Sequence, residues 1–354
     1  MPTIKADHLQ QVMYSILKAA GATEEEASFV SESLTEANLY GVDSHGLGNL
    51  KPYVHRVEAG KIKCGAQIKV VRESSTTALI DGNWGFGQIS CKKATEMAIA
   101  KAKKNMIGLI GIFNCNHIGR LGLYPEMIAK NDMIGLVYAA SDPSVAPHGG
   151  MKPLFGTNPF SYGFPAGKEK PIIIDFATST AAEGKIRAAL ARGEKIPEGW
   201  ILDKNGNPTT NPADLYEPPL PPAQIKIAGA QLPVGGHKGY GLALAVDIIG
   251  GALTGTGCDG DVPEFANGTV VQALNIEAFC PKEEYNKRVE KLIKDIKSAP
   301  KAPGVKEILL PGEPEARTRE VRLASGIPVP EITWNATLEL AKKYRVDVEK
   351  ILRK

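Results

Sequence analysis

The sequence predicts an α/β fold, and three observations carry the prediction. The first seventy residues are patterned mostly for helices. At "STTALIDGN" (75–83) the pattern changes to short apolar runs separated by helix-length segments. The alternation then recurs, with strand candidates at "MIGLIGIF" (106–113) and "MIGLVYAAS" (133–141) flanking a helix candidate. A chain of 354 residues buries an ample core, as one large domain or as two or three intertwined ones.

The elements follow in order. Thr23 and Glu26 form a capping box, and Ala27, Val30, Leu34 and Ala37 recur at helical spacing until Gly41 stops the helix. A strand over 76–81 leads through the Gly-rich turn "DGNWGFGQ" into a helix over roughly 88–104. "MIGLIGIF" reads as a buried strand, and "NCNHIGRLG" (114–122) as a polar loop before a helix near 122–131. "GTNPFSYGFPA" and "KPIIIDFATS" add two strands, and "EPPLPP" (217–222) a polyproline-like surface loop. "YGLALAVDIIGGAL" reads as a buried helix. "EEYNKRVEKLIKDIKSA" is amphipathic, with Tyr285, Val289, Leu292 and Ile296 on one face. "VKEILLPGE" predicts a late strand and turn, and "EITWNATLELAKKY" the last helix. No internal repeat is present.

Composition narrows the function classes. Hydrophobic residues at 43% and charged residues at 23% give the balance of a soluble globular protein. A net charge of +3, without a basic run interleaved with aromatics, argues against a nucleic-acid partner. No window approaches 18 uncharged apolar residues, and the N-terminus lacks the pattern of a signal peptide, so no membrane association is expected. Five scattered cysteines without a C-x-x-C pair suit reduced thiols and a cytoplasmic location.

"GTGCDG" (255–260) matches G-x-G-x-x-G, but an apolar helix precedes it and "DVPEFANG" follows where a helix should begin, so it is not expected to bind phosphate. No Walker A motif is present. The six histidines make no metal-binding spacing, so no metal is expected. Ser44 and His45 are a poor nucleophile and base, because neighbouring side chains diverge on helices and strands alike. Cys115 and His117 stand at i and i+2, the spacing of a thiol–imidazole pair, against a small buried cysteine beside an unrelated histidine. His117, after a buried strand and beside Asn114, Asn116 and Arg120, is the best proton-transfer candidate; a solvated loop histidine is the alternative.

Taken together, "GVDSHGLGNLKPYV", "DGNWGFGQ", "NHIGRLGLYPE", "GTNPFSYGFP", "IIIDFATSTAAEGK", "DKNGNPTTNPADL", "GGHKGYGLALAVDIIGGALTG" and "ILLPGE" resemble, in order and nearly end to end, the malate/lactate dehydrogenase family that lacks a Rossmann fold. That family includes ureidoglycolate and sulfolactate dehydrogenases and piperideine-2-carboxylate reductases. Within it, "DSHGxG" and "HIGRxG" look most like the hydroxycarboxylate dehydrogenase B type.

The resemblance implies an α/β body around a large mixed sheet that binds NAD or NADP without a Rossmann unit. It also implies a helical part built from both chain ends and a homodimer. The divisions it suggests are a helical part over 1–72, a cofactor- and substrate-binding body over 73–299, and a C-terminal segment over 300–354 that packs back on the first. The activity implied is interconversion of a 2-hydroxy acid and a 2-oxo acid; the alternative is reduction of a cyclic ketimine-2-carboxylate.

Residue by residue, the resemblance makes His117 the proton-exchanging group, with His45 and Ser44 lining the same pocket. It puts Thr157 and Lys185 on the substrate side. Cofactor contacts fall on Ser141, on Asp175, Phe176, Ala177 and Thr178, on His237 and Lys238, and on the turn Pro311, Gly312, Glu313. Two departures matter. The family's carboxylate-gripping arginine is replaced by Asn49, while Arg120 appears in the His117 loop. Arg120 is therefore expected to grip the substrate carboxylate with two parallel hydrogen bonds, the alternative being a pair with Glu126. Lys185 stands where the imine reductases carry an aspartate, which favours an oxo acid over an imine. Arg317, Arg319 and Arg322 could meet a 2′-phosphate or form a solvated basic face.

Overall fold

The computed structural model describes residues 1–220, 226–258 and 260–353. Its centre is a seven-stranded mixed sheet. In chain order the strands are β1 (Lys69–Glu73), β2 (Thr77–Asp81), β3 (Ile107–Phe113), β4 (Met133–Ser141), β5 (Phe160–Phe164), β6 (Ile172–Phe176) and β7 (Asn267–Asn275). Their spatial order is β1-β2-β3-β7-β4-β5-β6. Only β2 and β3 pair in parallel; every other neighbour is antiparallel. β7, nearly two hundred residues after β1, is therefore the central strand, and it is buried along most of its length.

Both ends of the chain build the helical part. α1 (Ala6–Ala19), α2 (Glu24–Leu39) and α3 (Leu50–Glu58) share one apolar core with residues from the last thirty, among them Ile327, Leu340 and Val348. The capping box closes as read, with Glu26 N donating to Thr23 Oγ1 and Thr23 N to Glu26 Oε2. Ala27, Val30, Leu34 and Ala37 are fully buried. A second core lies under the sheet, where α4 (Gly87–Asn105) crosses β3 and α5 (Leu123–Ala129) lies against β4 and β5.

The remaining helices are α6 (Glu183–Arg192), α7 (His237–Val246), α8 (Lys282–Ser298), α9 (Glu313–Ser325), α10 (Glu331–Lys343) and α11 (Val348–Leu352). The long apolar helix over 240–253 is in fact α7 followed by a π-helical turn, Asp247–Ala252. It is less buried than its composition promised, with Leu242, Leu244, Ile248 and Leu253 exposed.

Two other expectations are corrected. On α8, Leu292 is 55% exposed and Ile293 takes its place in the core with Val289 and Ile296. At about 100° per residue 293 stands about 40° to one side of 289 and 292 about 60° to the other, so the face turned inward is the 289–293 side and 292 lies at its outer edge. The segment 305–310 joins no sheet. It runs beside α8 and α9, where Lys297 Nζ caps Ile308 O and Arg317 holds Glu307. Of the polyproline-like stretch, 221 and 222 lie outside the described residues.

Candidate active site

The loop after β3 is fastened before it reaches the histidine. Asn114 adopts a left-handed φ of 49° and donates from Nδ2 to Asp81 Oδ1 at 3.0 Å. Asn116, buried, donates from one amide nitrogen toward the carbonyls of Lys61, Trp84 and Gly85 at 3.2, 3.0 and 3.0 Å. Gly87 opens α4 against this loop; a Cβ there would lie 1.9 Å from Asn116 O, so only glycine permits the approach. "DGNWGFGQ" and "NCNHIGRLG" are thus two halves of one scaffold, and His117 is its cargo.

His117 Nδ1 is 2.7 Å from the hydroxyl of Tyr53 on α3, and Gln88 Nε2 donates to the same hydroxyl at 2.8 Å. Phe265 stands 5.2 Å from the His117 ring, and Arg56 lies over Phe265. The His45 ring stacks on His117 with centroids 5.5 Å apart. Burial lowers the pKa of both imidazoles from the usual 6.5. His117 falls to about 3, helped by His45 and Arg56, and His45 to about 4, helped by Arg120 and Arg187. Both are neutral at physiological pH.

Ser44 Oγ is 3.0 Å from His45 Nδ1, closer than helix or strand geometry allows, because both sit on the 3₁₀ turn Asp43–His45. Asp43, the nearest carboxylate in sequence, is taken by Arg322 and Asn38, so it does not orient His45 as a third member of a hydrolytic triad would. Cys115 is fully buried, with its thiol pushed up to about 12 by burial, which is the structural cysteine and not the nucleophile.

On the substrate side, Asn49 donates from Nδ2 to Ser44 O at 2.9 Å and so braces the turn. Arg120 is 7% exposed, donates from Nη2 to Glu126 Oε2 at 3.1 Å, and lies over the Tyr40 ring. A two-pronged grip on a carboxylate is therefore not the geometry present, because one prong already holds Glu126. Lys185 is exposed on the first turn of α6, next to Gly184, which abuts Ser44.

The cofactor candidates gather at one end of β4, β5 and β6. Ser141 closes β4 against Gly156, and Thr178 donates from both N and Oγ1 to Thr157 O. Val234 N bonds Thr178 O, which brings Gly235, Gly236, His237 and Lys238 alongside. The turn Pro311–Glu313 lies against β6, where Gly312, at φ 88°, faces the Ile173 backbone so closely that a Cβ would sit 3.2 Å from its carbonyl. Asp175 accepts from Gly122 N at 2.8 Å, which ties this region to the His117 loop. A cavity of about 510 Å³ opens between Gly149–Gly150, Thr180 and Gly235–Gly236, with the start of α7 beside it. Strand-end amides, two adjacent positive-φ glycines and the exposed Lys238 fit a dinucleotide's phosphates. "GTGCDG", of which 259 lies outside the described residues, has a π-turn before it, and no helix follows among the described residues before β7.

Tyr53 and Gln88 stand inside the motifs without a role that the sequence alone assigns. The signal for Tyr53 was its place on the buried face of the helix that follows the His45 turn.

A stacked pair of buried imidazoles with cations at its back lies beside a mixed sheet whose strand order is not that of a Rossmann unit. The sequence profile described as malate/L-lactate dehydrogenase matches residues 4–337. The L-sulfolactate dehydrogenase of Methanocaldococcus jannaschii is 38% identical over 352 residues, covering 98% of each chain. Hydroxycarboxylate dehydrogenase B of Escherichia coli is 34% identical over 97% of this chain and 95% of its own. The crystal structure of malate dehydrogenase from Entamoeba histolytica superposes with a TM-score of 0.91 at 30% identity, covering 98% of this chain and 99% of that one. The chain belongs to the malate/L-lactate dehydrogenase family.

Proposed function

We propose that the protein interconverts a 2-hydroxy and a 2-oxo carboxylate, with His117 exchanging the proton of the reacting oxygen. The observation that carries this is the His117–Tyr53 contact, which fixes one imidazole nitrogen and leaves the other for substrate. Bound NAD or NADP supplies or accepts the hydride. In the oxidising direction neutral His117 is ready to take the hydroxyl proton. In the reducing direction an imidazolium must form, and the substrate's own carboxylate favours that charge. His45, Ser44 and Arg120 border the reacting group, with Thr157 and Lys185 on the same side.

Ser141, Asp175–Thr178, His237, Lys238 and Pro311–Glu313 are assigned to the cofactor. NAD is favoured over NADP, because Arg317, Arg319 and Arg322 are each held by a carboxylate, Glu307, Glu36 and Asp43 respectively. The exposed apolar residues of α7 and its π-turn support a homodimer built on that face. No helix among the described residues is long and apolar enough to cross a membrane. Cys64, Cys91, Cys115 and Cys280 are in no disulfide, which supports a reducing cytoplasm. The test is absorbance at 340 nm with NADH or NADPH and a panel of 2-oxo acids. Oxidation of the cofactor by at least one oxo acid is expected, and preference for a cyclic imine over all of them would overturn the reading.

A further inference from the structure

α9 joins the two halves of the site. It begins at the Gly312 turn assigned to the cofactor and runs for 13 residues, about 20 Å at 1.5 Å per residue. Its last turn meets the turn that carries Ser44 and His45. There Arg322 donates from Nη1 to Asp43 Oδ1 at 2.7 Å and from Nη2 to Asp43 Oδ2 at 3.1 Å. Nη1 also donates to Asn38 O in the last turn of α2. Asn38 completes the clamp, with Nδ2 on Asp43 Oδ1 at 2.6 Å and Oδ1 accepting from Leu47 N at 2.7 Å. One turn earlier Arg319 makes a second two-pronged pair, with Glu36 of α2, both bonds at 2.9 Å. The Arg322 side chain is 15% exposed and that of Asp43 44%, so solvent screens the pair from the Asp43 side only.

The 43–45 turn needs such a clamp. It is three residues of 3₁₀ helix with no side-chain cap on its first residue, and its side chains are open to the pocket. Apart from Asn38, its polar anchors are Asn49 on Ser44 O and Arg322 on Asp43.

We propose that Arg322 is a positioning residue, which through Asp43 holds the turn bearing Ser44 and His45 against His117. The inference rests on the function proposed above. Arg322 touches neither substrate nor cofactor. A two-pronged guanidinium fixes orientation as well as distance, which an ammonium does not.

The test compares Arg322→Gln, Arg322→Lys, Asp43→Asn and the Arg322→Gln/Asp43→Asn double variant with wild type, with Arg317→Gln as control. Hydrogen exchange over residues 38–50 is read together with steady-state kinetics, cofactor affinity and thermal melting. Arg322→Gln should exchange the Leu47 amide and its neighbours at least tenfold faster. It should raise KM for the oxo acid about tenfold with kcat within threefold, and leave the NADH Kd within threefold. Asp43→Asn should match it, the double variant should be no worse than either, Arg322→Lys should recover part of the loss, and Arg317→Gln should leave both readouts unchanged. Unchanged exchange and KM in Arg322→Gln, or additive losses in the double variant, would overturn the proposal. Should wild type reduce no 2-oxo acid, the functional reading fails while the exchange measurement still decides the clamp. Should Arg322→Gln not fold, Arg322→Lys and Asp43→Asn decide it.

Discussion

Tyr53 Oη lies 2.7 Å from His117 Nδ1, and this contact decides which imidazole nitrogen meets the substrate. His117 acts as a base only through an unprotonated nitrogen, so if Nε2 faces the substrate, Nδ1 must carry the hydrogen and donate it to Tyr53. The phenol hydrogen then points to Gln88. A half-turn of the Gln88 amide offers Oε1 for it, and Oε1 is a buried oxygen without another partner. With the amide so turned, Gln88, Tyr53 and His117 form one chain that leaves Nε2 unprotonated. Tyr53→Phe breaks it and leaves two buried groups unpaired, at about 1–3 kcal/mol. A fall in kcat of about tenfold to a hundredfold with KM little changed is expected, and steady-state kinetics check it. A variant with wild-type kcat would show that another group orients the ring.

His117→Ala should lower kcat by roughly 10²–10⁴, the usual worth of a positioned proton-transfer group. The variant should still bind NADH, seen by fluorescence quenching, because the residues proposed for the cofactor lie at the ends of β4 and β6 and in the Gly312 turn. Near wild-type turnover at neutral pH would remove His117 from the mechanism.

The stacked imidazoles also make stability depend on pH. Their folded pKa values, about 3 and about 4, lie below the unfolded 6.5. Between these limits the unfolded chain binds protons that the folded chain does not, so stability rises with pH. The contribution is complete above about pH 6.5. It is lost as pH falls toward 4 and 3, at no more than about 1.4 kcal/mol per pH unit for each group. The urea midpoint should drop between pH 7 and pH 5, and His117→Gln should flatten the drop. An equal drop in that variant would assign the effect to carboxylates.

Much of this architecture was legible in the sequence because local patterns decide it. The Thr23–Glu26 box, the Ala27–Ala37 stripe and the alternation through β3 and β4 are each set by a few neighbouring residues. Leu292 misled because 285, 289, 292 and 296 share good helical spacing, and spacing alone does not say which edge of an apolar stripe turns inward. "VKEILL" misled because β-propensity does not supply a partner strand. The central place of β7 depends on pairing across more than a hundred residues, which no local pattern encodes. At the site, the motifs named His117 and His45. The Tyr53 contact, the Asp43–Arg322 pair and the Ser44–His45 contact arise only when α3, α9 and a 3₁₀ turn converge.

The two glycine turns should separate cleanly. Gly255 has open space around it and a φ of 82°, so Gly255→Asn fits the left-handed backbone and should leave the cofactor Kd within about threefold. Gly312 has a φ of 88° and the Ile173 backbone 3.2 Å from where a Cβ would sit. Gly312→Ala should displace the turn and raise the cofactor Kd by about tenfold or more, an effect of roughly 1.4 kcal/mol. Titration of NADH fluorescence measures both, and the opposite ranking would restore "GTGCDG" as a phosphate site.

Arg120 gives the last prediction, and its geometry sets the size. Nη2 is committed to Glu126, and Glu126 also takes Lys130 Nζ at 2.9 Å and the Tyr40 hydroxyl at 3.0 Å. Removing the arginine therefore leaves that carboxylate with two partners, so the protein should fold, with a melting temperature lowered by a few degrees, for a loss of about 1 kcal/mol. What remains for a substrate is the other terminal nitrogen, Nη1, which lies beside Gly122 and Asp175, together with the charge that acts on His45. One charge-assisted bond is worth about 1.5–3 kcal/mol, so Arg120→Gln should lower kcat/KM for an oxo acid by about tenfold to a hundredfold. A single-pronged contact is within reach of an ammonium, whereas a two-pronged one is not. Arg120→Lys should accordingly stay within about tenfold of wild type. Asn49→Arg should not rescue Arg120→Gln, because Asn49 is needed on Ser44 O. A loss in Arg120→Lys as deep as in Arg120→Gln would reinstate the two-pronged grip. Wild-type kcat/KM in Arg120→Gln with a lowered melting temperature would make Arg120 a partner of Glu126 and nothing more.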